Sequence, residues 1–218
     1  MLISHKYKII FIHIPKTAGE AIANFIQQAD PKAINKFKHK TALELKDQFN
    51  SEIWDSYYKF AVIRNPWEQA VSFYTHLRKP LYMDDDILGL QYPEYKRHKL
   101  LNPHEACMCA INESFPDYIE KIYNSNERHR LFSAQSWWIT DTDGSSLIDC
   151  VIRYENLAPE FLKLCTENGV PEKKLPYKNQ SVKKHYSTYY DKASKEIVTH
   201  HFKDDIKRFG YTFQTKSL

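Results

Sequence analysis

Two short segments of this chain carry residue types and spacings that could do chemistry on an anion. In Ile9 to Ala21, IIFIHIPKTAGEA, an apolar run stops at Pro15 and is followed at once by Lys16, Thr17, Ala18 and Gly19. That order reads as a strand, a tight turn and a helix start. The free N–H groups and positive dipole end of such a helix favour a phosphate or sulfate group, and Lys16 adds a mobile full charge. In Lys59 to Tyr74, KFAVIRNPWEQAVSFY, a second apolar run ends at Arg64, and Asn65-Pro66 opens another helix. Ser72 follows two turns into that helix, a rise of roughly 12 Å, where its hydroxyl can serve the same anion from above or a different part of the ligand. Arg64 has a structural alternative as the ion-pair partner of Glu68 or Glu155, and Lys16 as a solvated loop charge.

Elements placed by periodicity bring these two turns together. Lys8 to Ile14 is the first predicted strand and Gly19 to Gln28 a helix with Ile22, Phe25 and Ile26 on one stripe. Thr41 to Phe49 reads as a helix with Thr41 as N-cap and Glu44 as its capping-box partner. Lys59 to Ile63 is a second strand, with the continuous apolar character of one buried on both faces. Trp67, Ala70, Val71, Tyr74 and Leu77 recur at helical spacing after it. Cys150 to Arg153 is a third short strand. Leu157, Phe161, Leu164 and Cys165 mark a helix stopped by Gly169, and Val198, Phe202, Ile206 and Phe209 mark the last helices before Gly210. Strands alternating with helices predict an α/β fold with a mostly parallel central sheet flanked by helices. Parallel strands place the Pro15–Gly19 and Arg64–Pro66 turns on one sheet edge, where ligands of open α/β sheets bind. A ligand with two separated anionic groups would use both.

Composition narrows the classes. With 218 residues, 42% hydrophobic and 27% charged, the chain suits one well-buried core, so one domain over 1–218 is expected, with 80–104 as an excursion or lid over the site. A net charge of +4 with interspersed signs gives no nucleic-acid coat. Cys107, Cys109, Cys150 and Cys165 have neither CxxC spacing nor the density of a secreted scaffold, so reduced thiols are expected. No apolar run reaches the roughly 18 residues needed to span a bilayer. The expected location is the cytoplasm, whether free or peripheral to the inner membrane. The oligomeric state is left open.

Other clusters are bland. Asp84, Asp85 and Asp86 lack EF-hand spacing. Cys107 and Cys109 near His104 read as helix packing rather than as metal ligands. GxSxG, HExxH and GxGxxG are absent, and the first turn lacks the GK[ST] ending of a Walker A loop.

FIHIPKTAGEAI resembles the 5′-phosphosulfate loop of sulfotransferases, and FAVIRNPWEQAVSFY resembles their 3′-phosphate motif, R-[DN]-P-x-x-R-x-x-S-x-Y. The likeness is to the carbohydrate sulfotransferases of the broad group that includes the heparan sulfate 2-O and chondroitin 4-O enzymes, in small bacterial form. VIRYENL, LPYKNQS and the closing DDIKRFGY are similar to that group as well, in the same order along the chain.

This resemblance implies a P-loop-like sulfotransferase fold and 3′-phosphoadenosine 5′-phosphosulfate as donor, leaving adenosine 3′,5′-bisphosphate, with no metal required. It implies that Lys16, Thr17, Ala18, Gly19, Glu20 and Ala21 hold the 5′-phosphosulfate and that Arg64 and Ser72 hold the 3′-phosphate. Asn179, Ser181 and Lys183 would belong to a flap over the nucleotide, where charge alone gives a solvated basic loop. The acceptor would be a hydroxyl of a carbohydrate, glycolipid or other glycoconjugate, with Gln135 and Trp137 of SAQSWWITD on the acceptor side. Lys16 would neutralise charge on the leaving phosphate oxygen. His39, in a KHKTA segment similar to that carrying the base of the 2-O group, would be the general base, against a reading as a surface residue among lysines.

Three positions depart from the pattern. Glu20 and Ala21 stand where Thr and Ser are common, and Gln69 replaces the second arginine of the 3′ motif. Two readings of other classes remain open at this point. One is a nucleotide or small-molecule kinase needing ATP and magnesium, the other a non-catalytic nucleotide- or glycan-binding module.

Overall fold

The computed structural model describes residues 1–35, 40–78, 103–124, 130–171 and 184–215. In chain order the elements are β1 (Leu2–Ser4), β2 (Ile9–Ile12), α1 (Gly19–Ala29), α2 (Ala42–Lys46), α3 (Ser51–Ser56), β3 (Tyr58–Ile63), α4 (Pro66–Leu77), α5 (Pro103–Asn112), α6 (Phe115–Tyr123), β4 (Cys150–Arg153), α7 (Leu157–Glu167), α8 (Lys192–His201) and α9 (Lys203–Phe209). Length alone suggests one unit. Within the chain two compact units can be distinguished, Met1–Asn65 with Gln135–Val182 and Pro66–Ala134 with Lys183–Leu218.

The first unit holds a four-stranded sheet in the order β1-β2-β3-β4, flanked by helices. β2, β3 and β4 are parallel, pairing Ile12 with Ala61 and Ile63 with Arg153, so their C-terminal ends lie on one edge. β1 is antiparallel to β2 and absent from the sequence reading, because three residues, LIS, are too few to show a period. The first predicted strand is shorter than expected. Lys8 takes φ 51°, which no strand admits, and the ladder ends at Ile12 ahead of Pro15. One face of the sheet, with Phe11, Phe60, Val62 and Ile152, packs against Ile22, Phe25 and Ile26 of α1 and Phe161, Leu164 and Cys165 of α7. Thr41 and Glu44 form the expected capping box, with Glu44 N donating to Thr41 Oγ1 at 3.1 Å and Thr41 N to the Glu44 carboxylate at 2.7 Å. α7 ends before Gly169, at φ 66°, and Val170 N closes back on Cys165 O at 2.9 Å.

The second unit is helical, and its core is aromatic. Tyr74 of α4 meets Phe115 and Tyr118 edge-on or tilted, and Phe73 meets Phe132 at a centroid distance of 5.0 Å. Tyr190 Oη donates to Trp67 O at 2.8 Å, fixing the start of α4. Cys107 of α5 is buried, with its thiol on Leu77 O at 3.0 Å, a packing role of the kind its spacing suggests. Gly210, at φ 64°, ends α9. Among the described residues no helix is long and apolar enough to cross a membrane. Residues 79–102, which hold Asp84 to Asp86 and nearly all of the expected excursion, lie outside the described residues, and the last two of that excursion begin α5.

Candidate functional site

β2 delivers a loop that the chain holds under strain. Lys16 and Ala18 both occupy the left-handed region, at φ 66° and 68°, although neither is glycine. Such backbone costs on the order of 1 kcal/mol per residue and persists only where its surroundings enforce it. Part of that enforcement comes from Thr17, which is fully buried and donates from Oγ1 to Ile14 O at 2.8 Å, closing the turn. The Thr17 hydroxyl is therefore engaged within the loop. Left-handed residues in this arrangement turn successive N–H groups toward one concave side, the geometry of an anion nest.

The start of α1 completes that concavity. Ala18 is the N-cap and no side chain caps the helix. The first helical bonds run from Ala21 N and Ile22 N to Ala18 O, at 3.0 and 3.2 Å, so the N–H groups of Gly19 and Glu20 precede them. Glu20 is exposed on the first turn, where the dipole favours a carboxylate, and Ala21 is half-buried. Gly19 is tied to His13. A Cβ on Gly19 would lie 1.8 Å from His13 Nε2, and the imidazole is stacked on Phe11 at 5.8 Å between centroids.

β3 delivers the second turn against the first. Arg64 is only 6% exposed, and its Nη1 donates to Lys16 O at 3.2 Å. The guanidinium carbon lies 4.1 Å from the centroid of the Tyr154 ring, and Tyr154 is the first residue beyond β4. Three consecutive parallel strand ends thus contribute Lys16, Arg64 and Tyr154 to one place. Next to it, Asn65 N donates to Glu155 Oε1 at 2.7 Å. This edge thus holds the Arg64 guanidinium, the main chain of Lys16 and the uncapped amides of Gly19 and Glu20, and a guanidinium with free amides is the chemistry an oxyanion of phosphorus or sulfur requires.

Gln135, expected on the acceptor side, is fully buried, with both ends of its carboxamide on the Arg64 main chain. Its neighbour Trp137 is 44% exposed, whereas Trp138 is buried. Ser72 lies on α4, in the second unit, and is 6% exposed; Gln69, on the same helix, is also buried. His39, Asn179, Ser181 and Lys183 lie outside the described residues. Among the described residues no group of three or more His, Cys, Asp or Glu is placed to hold a metal ion.

Tyr154 is the residue of this edge that the sequence reading did not name, while Glu155, expected as an alternative ion-pair partner of Arg64, accepts from Asn65 N. The rule that singles out Lys16 and Arg64, a residue just past the end of a parallel strand, singles out Tyr154 equally well.

The family model described as the sulfotransferase family matches residues 1–212 of the chain. No curated protein matches it, and no solved structure does.

Proposed function

The chain belongs to the sulfotransferase family, and from that premise we propose that it moves the sulfuryl group of 3′-phosphoadenosine 5′-phosphosulfate to a hydroxyl of a carbohydrate or glycoconjugate. The observation that carries this reading is the hydrogen bond from Arg64 Nη1 to Lys16 O. It holds the two turns next to each other, which supports a ligand that reaches both. The uncapped start of α1 supports the same donor.

In this reading the loop from Lys16 to Ala21 holds the 5′-phosphosulfate, with the N–H groups of Gly19 and Glu20 ahead of the first helical bonds as its donors, and Lys16 meets the charge that develops on the leaving phosphate oxygen. Arg64 holds the 3′-phosphate, joined by Ser72 on the strength of the motif. The donor supplies an activated sulfuryl group. His39 takes the proton of the acceptor hydroxyl, Asn179, Ser181 and Lys183 close over the nucleotide, and Trp137 offers its exposed face to a sugar. The cytoplasm is the compartment that goes with this reading, and the four cysteines form no disulfide.

Thermal stability in the presence of adenosine 3′,5′-bisphosphate, against ATP with magnesium, tests the donor. Saturation at 100 times the dissociation constant adds about 2.7 kcal/mol. The bisphosphate is expected to stabilise the wild type and to do so much less in Lys16→Ala and Arg64→Ala. Stabilisation by ATP and magnesium alone would overturn the reading. Transfer of labelled sulfate from the donor to a panel of glycans then tests the acceptor.

A further inference from the structure

The residue that stands out, once Lys16 and Arg64 are assigned, is Gln135. A carboxamide with no exposure must satisfy both its acceptor and its donor inside the protein. Gln135 Oε1 accepts from Arg64 N at 2.8 Å, and Gln135 Nε2 donates to Arg64 O at 2.7 Å. That exchange of two bonds is the pattern of a hydrogen-bonded residue pair in an antiparallel β-ladder. It falls at the point where the real ladder stops, because the last pair between β3 and β4 is Ile63 with Arg153. The side chain of Gln135 therefore extends the strand's hydrogen bonding by one residue, to Arg64. The next residue, Asn65, is held in turn by the Glu155 carboxylate at 2.7 Å.

We propose that Gln135 is a positioning residue for the 3′-phosphate end of the donor, acting through the Arg64 main chain without touching the nucleotide. Fixing the backbone of Arg64 on both its N–H and its C=O fixes the direction in which the guanidinium leaves the strand. That direction sets its 3.2 Å bond to Lys16 O and its stacking at 4.1 Å on Tyr154. An apolar residue at 135 leaves two buried main-chain groups to find new partners, and the turn shifts to supply them. Displacements of an ångström in a positioning group cost large factors in recognition. The inference rests on the donor reading above and assigns Gln135 a part that its place beside Trp137 does not suggest.

The test is a pair of ligands that differ only in the group Arg64 is read to hold. Calorimetric affinities for adenosine 3′,5′-bisphosphate and adenosine 5′-phosphate are measured for wild type, Gln135→Leu, Gln135→Glu, Arg64→Ala and the Gln135→Leu/Arg64→Ala double variant. The wild type is expected to prefer the bisphosphate. In Gln135→Leu that preference falls by about tenfold or more while the affinity for the 5′-phosphate changes by less than about threefold. Gln135→Glu keeps an acceptor for Arg64 N–H and loses the donor to Arg64 O, so it falls between the two and serves if the leucine variant does not fold. In the Arg64→Ala background Gln135→Leu removes no further preference. A wild type with no preference overturns the donor reading and this one with it. A wild type that prefers the bisphosphate, with the preference intact in both Gln135 variants or with additive losses in the double variant, overturns the positioning role alone.

Discussion

The imidazole of His13 fills the space that a side chain on Gly19 would need. Its Nε2, Cδ2 and Cε1 atoms lie 1.8, 1.9 and 2.5 Å from the position of a Cβ on Gly19, and stacking on Phe11 fixes the ring there. Alanine is the better helix former by about 1 kcal/mol, so nothing in the helix itself asks for glycine. Gly19→Ala is therefore expected to destabilise by about 1–3 kcal/mol through overpacking. In a His13→Ala background the same change is expected to be neutral or stabilising. Urea denaturation of the four proteins in this cycle measures the coupling, and equal costs of Gly19→Ala in both backgrounds would refute it.

The Arg64 guanidinium stacked on Tyr154 predicts a dependence on the ring rather than on the hydroxyl. Tyr154→Leu is expected to weaken binding of adenosine 3′,5′-bisphosphate by about 0.5–2 kcal/mol, roughly 2- to 30-fold, as loss of a cation–π contact does. Tyr154→Phe keeps the ring and is expected to bind as the wild type does. Isothermal titration distinguishes them, and equal losses in both variants would assign the effect to the hydroxyl.

At Lys16, charge and backbone strain can be separated. Lys16→Gly removes both the ammonium and the penalty of φ 66°, whereas Lys16→Ala removes only the charge. The glycine variant is expected to be more stable than the alanine variant by about 1 kcal/mol in denaturant titration. In the transfer assay both are expected to lose about 10²- to 10³-fold in turnover, the scale of removing one preorganised oxyanion donor. Turnover within tenfold of wild type in either variant would remove Lys16 from the chemistry.

Tyr58, at the first position of β3, gives an alkaline signature. Burial first, and then the hydrogen bond with Cys150, push its phenol up from 10.0 to about 12. The folded state thus keeps a proton that the unfolded state releases. The stability this contributes is complete below pH 10 and is lost as pH rises from about 10 to about 12. Between those values Tyr58→Phe is expected to lose melting temperature less steeply than the wild type. Parallel curves would place the alkaline transition elsewhere, and Tyr118, Tyr123 and Tyr190, which burial also raises, are the next phenols to substitute.

What the chain discloses before folding follows the range of each interaction. The capping box of Thr41 and Glu44 spans three residues and can be read as text, as can the helix stops at Gly169 and Gly210. A simpler cap, Ser114 accepting from Asp117 N, precedes α6, a helix absent from the sequence reading. Convergence of Lys16 and Arg64 is legible because parallel strands share a direction. The contacts that hold Arg64 are of another kind. Gln135 is 71 residues from it, and Glu155 is 90 residues from Asn65. No local pattern announces such pairings, because they exist only after β4 has found β3. Nor does the packing of a histidine against a glycine six positions on leave any periodic trace.

The register of the sheet has a consequence for how this chain could be altered. Arg64 and Tyr154 stand side by side because Ile63 is paired with Arg153, whatever lies between them in sequence. Closing a longer connection costs only about 0.6 kcal/mol for each doubling of its length. A change in chain length between α4 and α5 therefore leaves this register untouched, whereas α4 itself carries Ser72 and packs in the aromatic core of its own unit. A single residue inserted within β3 or β4 would instead turn every following side chain to the opposite face. Substrate choice in engineered descendants can therefore be sought in the interval between these two strands, with the strands themselves kept as an invariant frame.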